Sequence, residues 1–306
     1  MKLKALSHYD GDLETRFGDC LLVYDSMHLI VYDCGHEKHA ERIKSILECN
    51  SLIQEIYIVV SHNDSDHTDG IIPLMEYLAE KQYKTTIYTS LYLKSAEKIE
   101  KILDDGRRNK KSICDHILDI FDRIAEIVER AMEFDFNVID AKEGTAVLSA
   151  EIVGPSEDEF AEVVAKAIED EGAGSINGET VMNAASVQLK LYLDKNTPVL
   201  LCGDASPEYL KALSSYKIIQ FPHHGQFDDG CSILEKLGDA SYMKEFIISD
   251  NTGNGKNAGG SEELVAYMKQ EHYKAAYNTL RGEITILEKI GVSTCKGVNL
   301  GGFYNK

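Results

Sequence analysis

The stretch that decides the fold reads Ser61-His62-Asn63-Asp64-Ser65-Asp66-His67-Thr68-Asp69-Gly70. The residues before it, 55–60, are mostly apolar and β-branched, which is typical of a buried strand. The residues after it, 71–78, place apolar side chains at helical spacing. The stretch is therefore a loop between a strand and a helix, and it holds two imidazoles and three carboxylates. Because these side chains bind divalent cations, the loop predicts a metal site.

Length and charge set bounds on the class of protein. The chain has 306 residues, with 32 Lys and Arg against 51 Asp and Glu, and its formal net charge is −19. The length suits one large domain or two ordinary ones, and the charge opposes tight nonspecific binding to long nucleic acid. A phosphodiester substrate is still compatible with this charge, because bound metal ions supply positive charge locally.

Cysteine usage and hydropathy indicate a cytoplasmic protein. The seven cysteines are scattered without a C-x-x-C pair, which is typical of reduced thiols. No apolar run approaches membrane-spanning length, and the first residues, MKLKALSHYDGD, lack the apolar core of a signal peptide. We therefore expect a cytoplasmic location and no membrane partner, and the sequence leaves the oligomeric state open.

Polar, metal-capable turns follow several predicted strands. In open α/β architectures, side chains at the carboxyl ends of strands converge on one edge of the sheet, where sites lie. We therefore expect these turns to meet at one place. They occur at Asp33, at 62–67, near Asn183, at Asp204 and at His223-His224.

The region from Lys94 to Phe134 is predicted to be helical. Apolar periodicity indicates a first helix around residues 99–103 and a second, longer one over 113–127. Between them lies a basic run, residues 105–111, with the sequence DGRRNKK. We favour a solvated turn between two helices for this run. The alternative is a lid that faces the substrate and attracts an anion.

These motifs together resemble the metallo-β-lactamase-fold hydrolase superfamily. The H-x-D-x-D-H form is most similar to the C-terminal hydrolase domain of the bacterial competence DNA-uptake channel protein, and to phosphorylcholine esterases. The matches cover about the first 225 residues and occur in the family's order. They are Gly18-Asp19-Cys20, Asp33-Cys34-Gly35, His62-x-Asp64-x-Asp66-His67 with Gly70, Asn183-x-x-Ser186, Leu200-Leu201-Cys202-Gly203-Asp204 and Pro222-His223-His224-Gly225.

The resemblance implies an α/β (α+β) fold, the four-layer αββα sandwich of two mixed sheets with outer helices. It implies a single domain over residues 1–306, built from two similar halves that meet near residue 150. The helical region 94–134 would then be an insertion near the mouth of the site.

The resemblance also implies a ligand set for two divalent metal ions. His62 and Asp64 would bind one ion, and Asp66 and His67 the other. Asp204 would bridge the two, and His224 would complete the second site while His223 faces the substrate; the alternative assignment exchanges these two histidines. Asn183 stands where many members carry a further histidine, so it is a possible metal or substrate contact and the first site is weak or empty. Asp33 would orient a ligand histidine.

The implied activity is that of a metal-dependent hydrolase. Two metals about 3.5–4 Å apart would share a bridging water and lower its pKa, with Asp66 holding the hydroxide and His223 donating a proton. Because carboxylate ligands shift preference away from zinc, both Zn and Mn are candidate ions. We expect a phosphodiesterase or nuclease-like enzyme acting on a small-molecule or short single-stranded nucleic-acid phosphodiester. The alternatives are hydrolysis of a lactone, thioester or lactam, and a catalytically weakened binding or regulatory module.

Overall fold

Two seven-stranded sheets form the body of the protein. The structure, a computed structural model, describes residues 1–7, 18–103, 109–170, 174–176, 179–250 and 261–287. The strands are β1 (Lys2–Ala5), β2 (Leu21–Tyr24), β3 (His28–Tyr32), β4 (Glu55–Val59), β5 (Lys84–Thr89), β6 (Asn137–Asp140), β7 (Ala146–Val147), β8 (Ala150–Gly154), β9 (Ser175–Ile176), β10 (Glu179–Thr180), β11 (Gln188–Tyr192), β12 (Pro198–Leu201), β13 (Ile218–Gln220), β14 (Glu245–Ile248), β15 (Tyr277–Asn278) and β16 (Ile284–Leu287).

Both sheets are mixed. The first has the strand order β16-β1-β2-β3-β4-β5-β6 and the second β15-β14-β13-β12-β11-β8-β7. In the first sheet β3, β4, β5 and β6 run parallel, and in the second β12, β13, β14 and β15 run parallel. Parallel neighbours bring their carboxyl ends to the same edge, so the turns that follow these strands are gathered there.

Helices cover the outer faces of the two sheets. Along the first sheet they bury side chains such as Ile43, Leu74 and Ile117, and along the second Ile233 and Leu264. The helices are α1 (Glu37–Cys49), α2 (Ser65–Thr68), α3 (Ile71–Glu80), α4 (Ala96–Leu103), α5 (Lys110–Ile120), α6 (Asp122–Glu133), α7 (Glu157–Glu169), α8 (Phe227–Leu237) and α9 (Glu262–Gln270). None of the helices in the described ranges is both long and apolar enough to cross a membrane.

The strand β3 shows how the layers are held. Leu29 and Val31 point into the core beneath the helices, whereas Ile30 and Tyr32 point into the core between the sheets. All four are at most 1% exposed, because a central strand of a four-layer fold is covered on both faces. Tyr32 also links the sheets, since its hydroxyl donates to the Val187 carbonyl at 2.6 Å. The predicted αββα sandwich of two mixed sheets is therefore confirmed.

The single long helix predicted over residues 113–127 is wrong, because the structure has two helices there. The chain leaves helical geometry at Phe121, with φ −111° and ψ 45°, and α5 and α6 are separate helices. The Asn63 side chain accepts from the Ile124 N–H at 2.9 Å and so satisfies a donor in the first turn of α6. Asn63 lies between His62 and Asp64, so this helical region directly contacts residues 61–70, which we call the metal-loop.

The basic run 105–111 falls largely outside the described residues, although Lys110 pairs with Glu97 at 2.7 Å. The division into two halves stays a prediction.

Edge strand β16 is fastened to the sheet by Glu283, and this contact gives a pH-dependent stability. Glu283 binds both Lys4 and Arg42, the latter at 2.5 Å. Burial alone would raise the pKa of Glu283, but the hydrogen bonds from Arg42 and Lys4 hold it below the ordinary 4.5. A carboxyl whose pKa is lower in the folded state stabilises the fold above its unfolded pKa, and this stabilisation is lost as the pH falls through the folded-state value.

We therefore expect Glu283→Gln to lower the free energy of unfolding by about 0.5–1 kcal/mol near neutral pH, since the pairs are partly exposed. The difference from wild type should vanish once the pH falls well below 4.5. Urea unfolding across this pH range measures it. The matched control is Glu41→Gln on the exposed face of α1, which should change stability little at any pH. A Glu283→Gln deficit that persists in acid would contradict the ion-pair explanation.

Candidate metal centre

Polar side chains from both sheets meet in a buried cluster at the shared edge. His67 lies in α2, after β4, while Asp204 follows β12 and His224 follows β13. The side chains of Asp19, His67, Asp204 and His224 each offer a ligand atom, and these atoms all lie within 4.8 Å of one another. All four residues are at most 2% exposed. This is the convergence of strand ends that the sequence predicts.

The backbone of the metal-loop is fixed by two neighbouring turns. The Asp19 N–H donates to the Asp66 carbonyl at 2.8 Å, and the Cys34 N–H donates to the His67 carbonyl at 3.0 Å. The turns can approach this closely because of glycine: a Cβ on Gly35 would lie 1.7 Å from the Asp66 carbonyl oxygen. These contacts hold the loop backbone in place.

The Asp204 carboxylate lies among three imidazoles. Its Oδ1 is 3.3 Å from His67 Nε2, and its Oδ2 is 3.8 Å from His224 Nε2 and 4.0 Å from His62 Nε2. Oδ1 also accepts a hydrogen bond from the backbone N–H of His223 at 3.1 Å. The carboxylate thus lies among imidazoles assigned to both predicted metal sites, and its bridging role stays a prediction.

A chain of hydrogen bonds fixes the tautomers of His62 and His67. Asp33 accepts from the Ser61 hydroxyl at 2.6 Å and lies 2.8 Å from His67 Nδ1. An ionised carboxylate only accepts, so His67 carries its proton on Nδ1. The Ser61 hydroxyl gives its proton to Asp33, so it accepts from His62 Nδ1, 2.9 Å away. Both rings therefore hold the Nδ1 proton and present the Nε2 lone pair to the cluster.

His224 is oriented in the same way by other groups. Its Nδ1 lies 3.2 Å from the Asp19 carboxylate and 3.0 Å from the Ser249 carbonyl, and both of these are acceptors. Nδ1 is therefore protonated, and Nε2 faces Asp66 and Asp204. The second Asp19 oxygen accepts from Gln220 Nε2 at 2.5 Å. Because both of its oxygens are engaged on the outer side of His224, we assign Asp19 to orienting the imidazole and not to holding an ion.

One buried nitrogen in the cluster tests whether it fits a cation. Among the described residues His62 Nε2 has no hydrogen-bond partner, and the nearest carboxylate oxygens, of Asp64 and Asp204, lie 3.8 and 4.0 Å away. An unpaired buried polar atom costs about 1–3 kcal/mol, and a cation that accepts this lone pair removes that cost. The donor set of imidazole and carboxylate suits a divalent transition metal, so the residues present fit such an ion.

The charges of the buried groups in the cluster depend on one another. Burial would lower the pKa of His67 and of His224, but Asp204 next to both, with Asp33 beside His67 and Asp19 beside His224, raises each well above its ordinary value. Burial also lowers the pKa of His62, and the charge on His67 lowers it further. Burial would raise the pKa of Asp204, yet the two charged imidazoles hold it well below its usual range. Positive charge is therefore favoured beside Asp204.

Asp64 and Asp66 of the metal-loop lie on the side of the cluster that is open to solvent. The Oδ2 atom of Asp66 lies 3.2 Å from His224 Nε2, and the Asp66 side chain is 18% exposed. Burial would raise the pKa of Asp66, but the hydrogen bond from His224 and the nearby His67 charge lower it. Asp64 Oδ2 lies 3.8 Å from His62 Nε2, and its side chain is 38% exposed. Both carboxylates are thus next to the cluster, and their assignment as ligands stays a prediction.

His223 and Asn183 differ in their relation to the cluster. The His223 side chain is 17% exposed, and its Nδ1 lies 3.8 Å from the Asp229 carboxylate on α8. It therefore borders the cluster from the open side, while His224 is buried within it. The Asn183 side chain is buried, and its Oδ1 accepts from the Thr180 hydroxyl at 2.8 Å. Among the described contacts Asn183 is thus held by Thr180, and its proposed role as a metal or substrate contact stays a prediction.

The roles of Asp19 and Ser61 are missing from the residue-level prediction. Asp19 precedes a strand, whereas the predicted site residues follow strands. Since β2 and β3 pair antiparallel, residues just before β2 lie at the same edge as those just after β3. Two apolar runs joined by a short turn, residues 20–24 and 29–32, are the sequence signal for this pairing. Ser61 stands beside His62 in the sequence, but nothing in the pattern shows that its hydroxyl joins two imidazoles through Asp33.

Comparison with known proteins identifies the fold. No family model matches the chain, and no curated protein matches it. Among solved structures, the metallo-β-lactamase fold protein YhfI from Bacillus subtilis is similar with a TM-score of 0.51 and 10% identity, over 93% of this chain and 98% of that one. The short form of human tRNase Z is similar with a TM-score of 0.44 and 11% identity, over 94% of this chain and 98% of that one. The first likeness shows the metallo-β-lactamase fold, and the second is too weak to carry an argument. The narrower resemblance to the competence channel domain is not among these findings.

The hydrogen-bond chain through Ser61 gives a prediction about metal affinity. Ser61→Ala removes the acceptor that holds the Nδ1 proton of His62, so the ring is free to present either nitrogen. We expect zinc affinity to fall about 10–100-fold, the usual effect of removing such an outer partner. Competition with a fluorescent chelator measures the affinity, and ¹⁵N NMR of the imidazoles reports the His62 tautomer. The control is Ser45→Ala on α1, whose hydroxyl only bonds the Glu41 carbonyl. Unchanged affinity and tautomer in Ser61→Ala would remove Ser61 from this role.

Proposed function

We propose that this chain is a metal-dependent hydrolase that cleaves phosphoric diesters. The observation that supports the proposal most strongly is the set of three imidazoles whose Nδ1 sides are tied to hydrogen-bond partners, while their Nε2 atoms lie 3.3–4.0 Å from the Asp204 carboxylate. Three imidazoles oriented in this way toward one carboxylate support a prepared cation site.

The proposed centre holds two divalent ions, Zn or Mn. Such ions supply Lewis-acid chemistry and activate water near neutral pH. The second metal site has the better-oriented ligands, because His67 and His224 are both buried and both oriented by carboxylates. The first position has His62 and the half-exposed Asp64, and we expect it to bind more weakly. The proposed ligands are His62, Asp64, Asp66, His67, Asp204 and His224.

Two residues on the open side are the proposed catalytic groups. Asp66 is an ionised carboxylate that is partly open to solvent, so it can hold and accept a proton from an attacking water. His223 lies next to the cluster with Asp229 close to its Nδ1, so its Nε2 side is placed to contact a phosphoryl oxygen or protonate a leaving group. Both act on the same side of the cluster, where a substrate has access.

A phosphodiester is the proposed substrate because the H-x-D-x-D-H loop has the form found in phosphodiesterase-like relatives of this fold. The acidic chain makes long nucleic acid an unfavourable partner. A small-molecule or short single-stranded phosphodiester requires less positive surface, and the ions in the centre would offset its charge. We propose no membrane partner.

The test measures bound metal and turnover together. Elemental analysis of the purified protein, followed by hydrolysis of bis(p-nitrophenyl) phosphate with added Mn or Zn, should show one to two ions per chain and metal-dependent cleavage. Asp204→Asn and Asp66→Asn keep the side-chain shape but remove the carboxylate charge. We expect each to lower kcat/KM by at least about 100-fold, with Asp204→Asn also losing metal.

The matched control is Asp228→Asn, an exposed carboxylate on α8 that contacts none of the proposed ligands among the described residues. It should keep both metal and turnover, and thermal unfolding should show all three variants folded. A wild type that holds metal but cleaves only lactones, thioesters or lactams would overturn the substrate class. A wild type without metal would overturn the whole proposal.

One observation supports a second candidate, a binding or regulatory module. Asn183 is engaged by Thr180, so an imidazole ligand is missing at a position that many members of the resembled family fill. A protein that retains one tightly bound ion and no hydrolytic activity toward any ester would favour this candidate. The partly exposed Asp66 and His223 favour catalysis, because a binding module needs no exposed carboxylate and imidazole beside its ion.

A further inference from the structure

A cavity of about 500 Å³ lies at the edge opposite the metal centre. Its lining includes Lys217, Lys244 and Lys274 together with Ser214 and Tyr216. Lys217 and Lys244 directly precede β13 and β14, and Lys274 precedes β15 by three residues. Because these strands run parallel, their amino ends meet at one edge, as their carboxyl ends meet at the other.

The strand register places Lys217 and Lys244 side by side. Ile218 pairs with Glu245, so one step back puts Lys217 opposite Lys244. Lys274 lies three residues before β15, and its ammonium donates to the carbonyl of Met243, the residue before Lys244. Like charges on directly opposite residues repel. An anion in the cavity would relieve that repulsion.

The three ammonium groups lack a carboxylate partner in the part of the chain that the structure describes. Within the described ranges none of them forms an ion pair with a carboxylate, although the chain carries 51 acidic residues. Lys244 donates to the Ser214 carbonyl at 2.6 Å and the Tyr216 carbonyl at 2.5 Å, and Lys274 donates to the Met243 carbonyl at 3.2 Å. Each ammonium has three donors, so Lys244 and Lys274 both retain N–H groups for a ligand.

Lys244 is the member that most needs a counter-charge. It is 8% exposed, and burial lowers its pKa. A buried charge is costly unless it is paired. One carboxylate, Glu245, is found among the described lining residues, and its Oε2 accepts from the Tyr277 hydroxyl at 3.0 Å. Three cations against one carboxylate leave the cavity with a net positive charge in an otherwise acidic protein.

We propose that this cavity binds a phosphate group through Lys217, Lys244 and Lys274. Lysine is a common phosphate ligand, since its ammonium is a compact charge with several donors. The volume is in the range of small-molecule sites and leaves room beyond a lone phosphate ion. The phosphate group could therefore belong to a phosphorylated small molecule as well as to the free anion, and the experiment separates these two sources. The proposal is independent of the proposed hydrolase activity, because the site lies at the other edge of the sheet.

Thermal unfolding in sodium phosphate and in sodium chloride of equal ionic strength tests the site. A ligand that binds only the folded state raises the unfolding midpoint, and we expect phosphate to raise it by about 2–4 °C over chloride. Lys217→Gln with Lys274→Gln removes two exposed ammonium groups and keeps the buried Lys244. This variant should lose at least half of the phosphate-specific increase.

The control variant, Lys81→Gln with Lys84→Gln, removes the same charge from two exposed lysines that pair with Glu80 and Glu55. It should keep the full increase. Phosphate bound at the metal centre contributes equally to all three proteins, so their differences report the cavity alone. A larger midpoint increase with AMP than with inorganic phosphate identifies a phosphorylated molecule, and the reverse identifies the free anion. An equal phosphate response in wild type and the cavity variant would overturn the proposal.

Discussion

The arrangement of the site depends on the buried carboxylate of Asp33. It accepts from the Ser61 backbone N–H at 2.7 Å and from the Ser61 hydroxyl, and it fixes His67 through Nδ1. Asp33 itself adopts φ 58°, a left-handed conformation that Asp tolerates better than most residues. A fully buried carboxylate is costly unless it is hydrogen-bonded, and these three contacts offset the cost. One residue therefore sets the path of the metal-loop and the tautomers of two imidazoles.

The fold supplies the partners that this loop lacks. Parallel strands in both sheets end at the same edge, so Asp204 and His224 come from the second sheet to meet His62 and His67 from the first. Asp19 and Asp33 have matching roles. Asp19 contacts Nδ1 of His224 and Asp33 contacts Nδ1 of His67, so both rings direct Nε2 into the cluster. The two sheets are held together by the apolar layer between them and by contacts such as Tyr32 with Val187. The position of the site thus depends on the packing of the two sheets.

The sequence predicts the strand–loop–helix around residue 61 and the convergence of later strand ends, because hydrophobic periodicity and strand direction are local properties. It does not predict the break at Phe121. Apolar periodicity continues through that point, and the first turn of α6 is bonded to Asn63, a residue distant in the chain. The orienting role of Ser61 is hidden for a similar reason, since it exists only when Asp33 and His62 are brought to its two sides. The grouping of Lys217, Lys244 and Lys274 needs the register of β13 with β14 and a contact from beyond them, which no local pattern gives.

The central claim is that His62, His67 and His224 present Nε2 atoms to a cation beside Asp204. X-ray absorption spectroscopy of the zinc-loaded protein tests this claim directly. We predict nitrogen and oxygen neighbours at about 2.0–2.2 Å with the outer-shell scattering of imidazole rings, and no sulfur. Cys20, Cys34 and Cys202 are buried near these strand ends, so sulfur at about 2.3 Å would place the ion on thiolates. That result, or zinc without imidazole scattering, would contradict the account.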